Sequence, residues 1–333
     1  MEYARLASVV LASAAVLACD LGNSRRAFGE VNTIVVVAAD SLWAEVGDSV
    51  RQSLERHVFT TRSEPTLRIE HISPLDAGWS RLRRFVQVLA IGVAEDGWIA
   101  PILDAPPTRL PAIAQRDNVW AQGQSATALV VPAHGAAAGV LALADSLGRR
   151  YDASFRAYAT AQMFASGRAS ALRDSLLANA GFGITLPRVY HVVARSDTLR
   201  IFRSESQAGG ALFRTIAITS RADAAIPNAV QLLAWRDRLA AEYYTNPAHL
   251  TRRDTMLLDT LSGGALEVQG VWRSADASYP EAGVFVTRAV PCAAQDRLYL
   301  LDAWLLAPGR AKYQYLIQFR TIFDSFECAG AQR

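Results

Sequence analysis

Five histidines are the residues of this sequence best suited to acid–base or metal chemistry near neutral pH. They are His57, His71, His134, His191 and His249. No two stand in an HExxH arrangement, and the chain has no GxSxG, Walker or GxGxxG motif. A Ser/His/Asp set from distant positions, such as His71 with Asp76 or His191 with Asp197, is a combination that any chain of this length offers by chance. We therefore expect no catalytic residue to be identifiable from the sequence.

Two tryptophan–arginine dipeptides are the strongest candidates for a binding surface. Trp235-Arg236 and Trp272-Arg273 combine residue types that are enriched in binding hot spots. Each tryptophan, however, falls on the apolar side of its own predicted element, which favours a core tryptophan with a flanking solvated arginine. Both interpretations stay open, and these four residues are the candidate binding surface.

A cysteine near the start of the chain predicts a lipid anchor. The apolar run over residues 6–18 follows a short head carrying Arg5 and ends in Val16-Leu-Ala-Cys19, which is typical of a lipoprotein signal. The run is shorter than the about 20 apolar residues that a spanning helix needs. We expect removal of residues 1–18 and acylation of Cys19, with palmitate among the acyl chains. The alternative is an ordinary cleaved secretion signal, with Cys19 a bystander.

The two remaining cysteines form an even pair, as expected in an oxidising compartment. Cys292 and Cys328 each lie at the end of a predicted element, where the chain can bring their Cα atoms within the about 4.4 to 6.8 Å of a disulfide. Two free buried thiols are the alternative. No CxxC motif or Cys/His cluster is present, so we expect no metal site, and no motif implies a cofactor.

The composition indicates a large folded body and no nucleic-acid partner. The 333 residues are 51% hydrophobic and 20% charged, which is enough for two modest domains. The formal net charge is +3, and Lys312 is the only lysine, so nearly all positive charge is arginine interleaved with acids. A nucleic-acid-binding protein would concentrate its basic residues on one face.

Apolar runs predict the elements that must position these residues. In the first half, strands are predicted at 32–39, 67–72, 85–93 and 125–131, a helix at 42–54 and helical pieces over 136–180. The proline-rich segment 95–118 is predicted to be a loop.

The second half is predicted to be richer in strands. We expect a hairpin over 190–203, strands at 212–219, 263–272, 284–290 and 298–306, and helices over 227–246 and 312–327. The strand at 298–306 is so apolar that both of its faces must be covered.

These elements predict an α+β fold with two mixed, largely antiparallel sheets covered by helices. The order strand, helix, three strands, helix occurs over 32–180 and again over 212–326, which suggests an internal duplication. The predicted organisation is a signal peptide at 1–18, a linker at 19–31, and α+β domains at 32–181 and 182–333.

Several segments together carry a resemblance to a known family. They are 36–54 with Asp40-Ser-Leu-Trp43, 84–93, Asn118-Val-Trp-Ala121, Phe182-Gly-Ile-Thr-Leu-Pro187, Glu267-Val-Gln-Gly-Val-Trp272 and Trp304-Leu-Leu-Ala-Pro-Gly309. In these the chain resembles a group of bacterial lipoproteins known only as a domain of unknown function. It departs from the family after Trp235-Arg236-Asp237, where Arg238-Leu-Ala-Ala241 stands in place of a more polar continuation. The resemblance implies a lipid anchor and a fold-scale grouping, but no catalytic residues.

We therefore expect a lipoprotein tethered to a membrane of the bacterial cell envelope, with its mature domain outside the cytoplasm. Its predicted role is to bind or scaffold a partner, such as another envelope protein or a glycan. The alternative is a lipid-tethered envelope enzyme of the hydrolase type. A deep pocket holding two or more histidines and a carboxylate within hydrogen-bond reach would favour the enzyme.

Overall fold

The structure is a computed structural model that describes residues 25–206, 210–222, 225–245, 248–261, 264–278 and 280–330. The predicted signal peptide at 1–18, the first part of the predicted linker and the lipidation candidate Cys19 lie outside these ranges. No helix within them is long and apolar enough to span a bilayer.

The first half of the chain folds into a five-stranded sheet covered by helices. Its elements are β1 (Thr33–Val37), α1 (Asp40–Leu54), β2 (His57–Phe59), β3 (Ser63–Pro65), β4 (Arg68–Ile72), α2 (Trp79–Leu82), β5 (Gln87–Gly92), β6 (Ala112–Asp117), β7 (Ser125–Val130), α3 (Ala136–Met163) and α4 (Ser170–Ala180). The strand order is β4-β1-β5-β7-β6, in which β4, β1, β5 and β7 are parallel and β6 is antiparallel to β7. The prediction of a largely antiparallel sheet is wrong for this half. Continuous apolar runs such as β1 and β5 are typical of parallel strands covered on both faces, and burial along their whole length agrees with that.

The predicted loop over 95–118 ends in a strand that the sequence analysis missed. The prolines of this segment lie at or before Pro111, and β6 starts directly after it. Proline cannot donate to a sheet ladder, so pairing begins where the prolines end. The strand lies at the edge of the sheet, and its last three residues are exposed.

Helix α3 is held against α1 by a close approach of the two backbones. A Cβ placed on Gly148 would lie 2.5 Å from the Ser53 carbonyl oxygen, so only glycine fits there. Beside this contact, Val50 and Leu54 of α1 pack with Leu147 of α3 in one buried cluster. The position of α3 over the sheet is therefore well defined.

The second half folds into a seven-stranded antiparallel sheet with helices on both faces. Its elements are β8 (Phe182–Gly183), β9 (His191–Arg195), β10 (Leu199–Ser206), β11 (Leu212–Ala222), α5 (Ala229–Tyr243), β12 (His249–Thr260), β13 (Leu266–Ser274), β14 (Ala282–Cys292), β15 (Arg297–Leu306), α6 (Tyr313–Asp324) and β16 (Glu327–Cys328). The order in the sheet is β12-β13-β14-β15-β11-β10-β9, while β16 pairs with β8. The predicted hairpin is present as β9 and β10, and it extends this sheet instead of standing apart from it.

The two halves confirm the α+β class, with helices covering sheets, but they are not duplicates. One sheet is mostly parallel and the other is antiparallel throughout its described pairings. Strand β12 was not predicted, and with it four strands instead of three lie between α5 and α6. The predicted internal duplication is therefore wrong.

Helix α6 packs against both halves. Tyr313 and Ile317 belong to the buried cluster of the first sheet, whereas Phe319 and Phe323 belong to the cluster on the second sheet. The predicted domain boundary at 181/182 falls between α4 and β8 and stays a prediction. Since α6 is buried from both sides, it fixes α3 relative to the second sheet.

A disulfide fastens the segment that follows α6. It joins Cys292, at the end of β14, to Cys328 in β16, with their Cα atoms 5.8 Å apart. This separation lies inside the range that bridged cysteines require.

Candidate functional site

The candidate site is a groove where α3 crosses α6. Gln318 Nε2 donates to the Ala159 carbonyl oxygen at 3.3 Å, and the hydroxyls of Thr160 and Thr321 lie 3.5 Å apart. On either side of this contact, the small side chains of Ala157 and Ala161 leave an open space of about 780 Å³. Three arginines line that space, and we call it the arginine groove: Arg156, Arg168 and Arg320.

Arg156 is held at the groove by a closed set of hydrogen bonds. Its Nε donates to Asp152 Oδ2 at 2.7 Å and its Nη2 to the Tyr313 hydroxyl at 2.8 Å, while that hydroxyl donates to Asp152 Oδ1 at 2.6 Å. Burial disfavours the charged guanidinium, but the bonds and charges of Asp152 and Tyr313 outweigh it and raise the pKa of Arg156. Burial, followed by the bond to Asp152, also raises the pKa of Tyr313. Both side chains therefore keep their protons and act as fixed donors.

Arg320 is held by acceptors on the second sheet. Its Nε donates to Glu267 Oε1 at 2.8 Å and its Nη2 to Gln269 Oε1 at 2.9 Å. Glu267 is 2% exposed, and its other oxygen accepts two bonds from Arg288 at 2.7 and 2.9 Å. Arg288 in turn donates to Asp324 Oδ1 at 2.8 Å. This network fixes the guanidinium of Arg320, because its acceptors are themselves buried and bonded.

Arg168 is an exposed arginine of the groove that packs on an aromatic ring. Its guanidinium lies 4.1 Å from the centre of the Phe164 ring, a cation–π contact. It forms none of the ion pairs found among the described residues. Asp324 is the acidic residue of the lining, and it already accepts from Arg288.

This arrangement suits recognition of anions. Arginine carries donors only and stays protonated in proteins, so the groove offers hydrogen bonds and positive charge but no proton acceptor of its own besides Asp324. Within the described residues, Nη1 of Arg156 and Nη1 of Arg320 donate to no protein acceptor. Two guanidinium groups are thus oriented by bonds from Nε and Nη2, and each keeps its Nη1 donors for another acceptor.

The predicted binding surface of Trp235, Arg236, Trp272 and Arg273 is wrong. Trp272 and Arg236 are 0% exposed and Trp235 is 9% exposed, so of the four only Arg273 reaches solvent. Trp235 and Arg236 are neighbours on α5, and both are buried between this helix and the second sheet. Adjacent positions can both point inward when a wide face of a helix is covered. The core interpretation of the tryptophans agrees with the structure, but Arg236 is not a solvated arginine.

Arg236 takes part in a buried charged network. Its Nε donates to Asp302 Oδ1 at 3.1 Å and its Nη1 to the Thr251 hydroxyl at 2.7 Å, while the Tyr244 hydroxyl donates to Asp302 Oδ2 at 2.9 Å. Both members of the ion pair are fully buried. The guanidinium also lies 3.8 Å from the Phe285 ring centre. These contacts compensate the charge within the core.

Two of the five histidines, His71 and His249, stack on tryptophan rings. His71 Nε2 lies 3.1 Å from the Ala38 carbonyl oxygen, and its ring stacks on Trp43. His249 is buried and stacks 3.8 Å from Trp272, with no hydrogen-bond partner for either ring nitrogen. In the described part of the chain, none of the five histidines forms an ion pair with an acid, and no group of three His, Cys, Asp or Glu residues is placed to hold a metal ion.

Two sequence patterns indicate some of the charged residues that hold the arginines of the groove. Asp152 and Arg156 are an i, i+4 pair on a helix, and Glu267 stands inside an apolar strand. A charge within a buried strand requires a partner of opposite sign, which the structure supplies as Arg288 and Arg320.

Comparisons with known proteins extend over parts of the chain. Residues 27–144 match the model of a family described as a domain of unknown function (DUF8532), which is less than half of the chain. This match bears out the domain of unknown function over that segment. No curated protein matches the sequence.

Three solved structures show a distant likeness. The Ran-binding protein Mog1p of Saccharomyces cerevisiae and a mutant of the protein Mog1 are each 11% identical, cover 45% of this chain and 90% and 91% of their own, and have TM-scores of 0.31. The cyanobacterial PsbP of Synechocystis is 12% identical over 45% of this chain and 87% of its own, also with a TM-score of 0.31. Scores of this size support no inference about this chain.

Proposed function

We propose that this chain is a lipid-anchored protein of the bacterial cell envelope that binds a partner through the arginine groove and does not catalyse a reaction. The anchor rests on the sequence Val16-Leu-Ala-Cys19. The disulfide between Cys292 and Cys328 supports export, because such bonds persist in oxidising compartments outside the cytoplasm.

The observation that carries the binding role is the orientation of Arg156 and Arg320. Each is fixed at Nε and Nη2 by acceptors of its own protein, so little side-chain entropy is lost when a ligand bonds to Nη1. The carboxylates that fix them, Asp152 and Glu267, use their oxygens for arginine N–H groups or the Tyr313 hydroxyl. A site organised in this way favours recognition over proton transfer.

The anchor is tested by producing the chain in a bacterial host and separating membranes from soluble fractions. Mass spectrometry should find an acylated Cys19 at the N-terminus and loss of residues 1–18, and Cys19→Ser should release the protein from membranes. Cys328→Ser, which removes a cysteine of the folded body, is the matched control and should stay membrane-bound. An unmodified mature chain that begins elsewhere would overturn the anchor.

The binding role is tested by capture. The full chain, solubilised in a non-ionic detergent, should bind to an anionic matrix or partner. Arg156→Gln and Arg320→Gln should each abolish this binding, while both variants still unfold cooperatively. Retention that survives both substitutions would place binding outside the groove.

A further inference from the structure

The arginine groove combines three guanidinium groups with an apolar wall. Arg156 comes from the C-terminal half of α3, Arg168 from the turn after it and Arg320 from α6. All three line one open space with Thr160 and Thr321. Ala157, Ala161, Phe164 and Ile317 supply the remaining wall. The groove is therefore polar at its arginines and able to accept a carbon skeleton beside them.

We propose that the arginine groove binds a phosphate monoester. This inference rests on the proposed binding function and specifies the ligand chemistry of that same site. A guanidinium group presents N–H donors in a planar fork that matches phosphate oxygens, and a phosphate monoester carries three such oxygens. Three arginines line the groove, so each terminal oxygen has a guanidinium group to accept from.

The three arginines have different tasks in this binding. Arg156 and Arg320 are held by Asp152 and Glu267 and offer their open Nη1 groups without rearrangement. Arg168 rests on the face of Phe164 and has no acid to leave, so its long side chain can turn onto the ligand. The phosphate would accept from two fixed donors and from one exposed arginine that turns toward it.

Charge also favours an anion here. The positive charges of Arg156 and Arg320 are offset by Asp152 and Glu267 behind them, and Asp324 is bonded to Arg288. Arg168 carries the charge that no acid in this cluster offsets. The net positive charge of this cluster therefore attracts an anionic ligand, whereas a cation or a second arginine-rich surface would be repelled.

Calorimetry with inorganic phosphate and with glucose 6-phosphate on the full chain in non-ionic detergent tests the proposal. Both should bind saturably at one site. Arg168→Gln should weaken binding roughly tenfold to a hundredfold, the effect of one lost charge-assisted hydrogen bond, without changing the melting temperature. Arg149→Gln is the matched control, because Arg149 is an exposed arginine of α3 outside the groove, and it should leave the affinity unchanged.

Two further arms decide the source and the chemistry of the ligand. Detergent micelles containing phosphatidic acid compared with phosphatidylcholine distinguish a lipid headgroup from a soluble phosphate ester, because phosphatidylcholine carries only a diester. Acetate and citrate, whose negative charges lie below and above that of phosphate, are titrated in the same way and should both bind more weakly than phosphate. Carboxylates that bind as tightly would overturn the choice of phosphate.

Failure of this inference is distinguishable from failure of the proposed function. Absence of saturable phosphate binding, or equal weakening by Arg149→Gln and Arg168→Gln, would overturn the phosphate site while membrane attachment through Cys19 stands. Phosphate binding to a chain that is not acylated would support the phosphate site and overturn the anchor.

Discussion

His249 should make the second sheet sensitive to acid. The residue is 8% exposed, and its imidazole stacks on Trp272 and has no hydrogen-bond partner for either ring nitrogen. Burial and the nearby guanidinium groups of Arg236 and Arg203 lower the pKa of His249 to about 2. Protonation in the folded state would place a second cation beside Arg236 inside the core, so the folded protein keeps the ring neutral.

The sign of the pH effect follows from proton binding in the two states. In the unfolded chain the pKa of a histidine is about 6.5. Between pH 6.5 and about 2 the unfolded state therefore binds one proton that the folded state rejects, and the free energy of unfolding falls as the pH falls. The limiting slope is about 1.4 kcal/mol per pH unit, so lowering the pH from 7.5 to 4.5 should cost about 3 kcal/mol through this residue.

Urea denaturation at pH 7.5, 5.5 and 4.5 measures this cost. We expect His249→Phe, which keeps an aromatic ring beside Trp272, to lose about 3 kcal/mol less stability than the unmodified chain between pH 7.5 and 4.5. Other titrating groups are the same in both proteins and cancel in the difference. His191→Phe removes an exposed histidine and should show the full loss. Equal losses in the unmodified chain and His249→Phe would refute the argument.

Three other predictions concern the buried pairs and the disulfide. Arg236→Met alone should lower the free energy of unfolding by about 3 to 5 kcal/mol, because it leaves Asp302 buried without its cation, and adding Asp302→Leu should restore much of the loss; urea melts showing simple additivity would contradict this. Reducing the bond between Cys292 and Cys328, which are 36 residues apart in sequence, should lower the free energy of unfolding by about 4 kcal/mol. The melting temperature should then fall when reductant is added, and an unchanged melting temperature would contradict this. Lys312 is 7% exposed and its ammonium group donates to a carbonyl oxygen. It should therefore react with an amine-specific reagent slowly in buffer and fast in urea, as measured by peptide mass spectrometry. Equal rates would show that its amine is accessible in the folded chain.

The central strands and the longer helices could be predicted because burial leaves a continuous or periodic apolar pattern. β1, β5 and β15 were found in this way, and Gly181 ends α4 with a positive φ of 78° as a helix-terminating glycine does. Strand direction could not be predicted, because a continuous apolar run shows that both faces of a strand are covered but does not fix its direction. β1 is parallel to its neighbours, whereas β15, which is equally apolar, is antiparallel to β11.

Both long strands that the sequence analysis missed are edge strands. β6 ends in Gln115-Arg116-Asp117, and β12 contains Arg252, Arg253 and Asp254. An edge strand has one neighbour and faces water along its other side, so charged residues are favoured there because they oppose pairing with another chain. The pattern that identifies a strand is therefore weakest at the edges of a sheet.

The sequence around the buried charged residues indicates that each needs a partner of opposite charge. The strand over 298–306 was predicted to be covered on both faces, yet it contains Asp302, and a fully covered carboxylate needs a cation. The sequence could not name that cation, because Arg236 lies 66 positions away on a helix. The same holds for Glu267, whose partners Arg288 and Arg320 come from a strand and a helix.

The arginine groove could not be predicted from the sequence for the same reason: its residues come from segments that are far apart in the chain. Arg156, Arg168 and Arg320 come together because α6 packs on both α3 and the second sheet, a contact between segments more than 150 residues apart such as Thr160 and Thr321. All three arginines lie beyond residue 144, where the match to the domain of unknown function ends. The matched segment contains the five strands of the first sheet, but it includes none of the guanidinium groups on which the groove depends. Ligand recognition of the kind proposed here must therefore be judged in each relative from the residues at the crossing of α3 and α6, not from membership of the family.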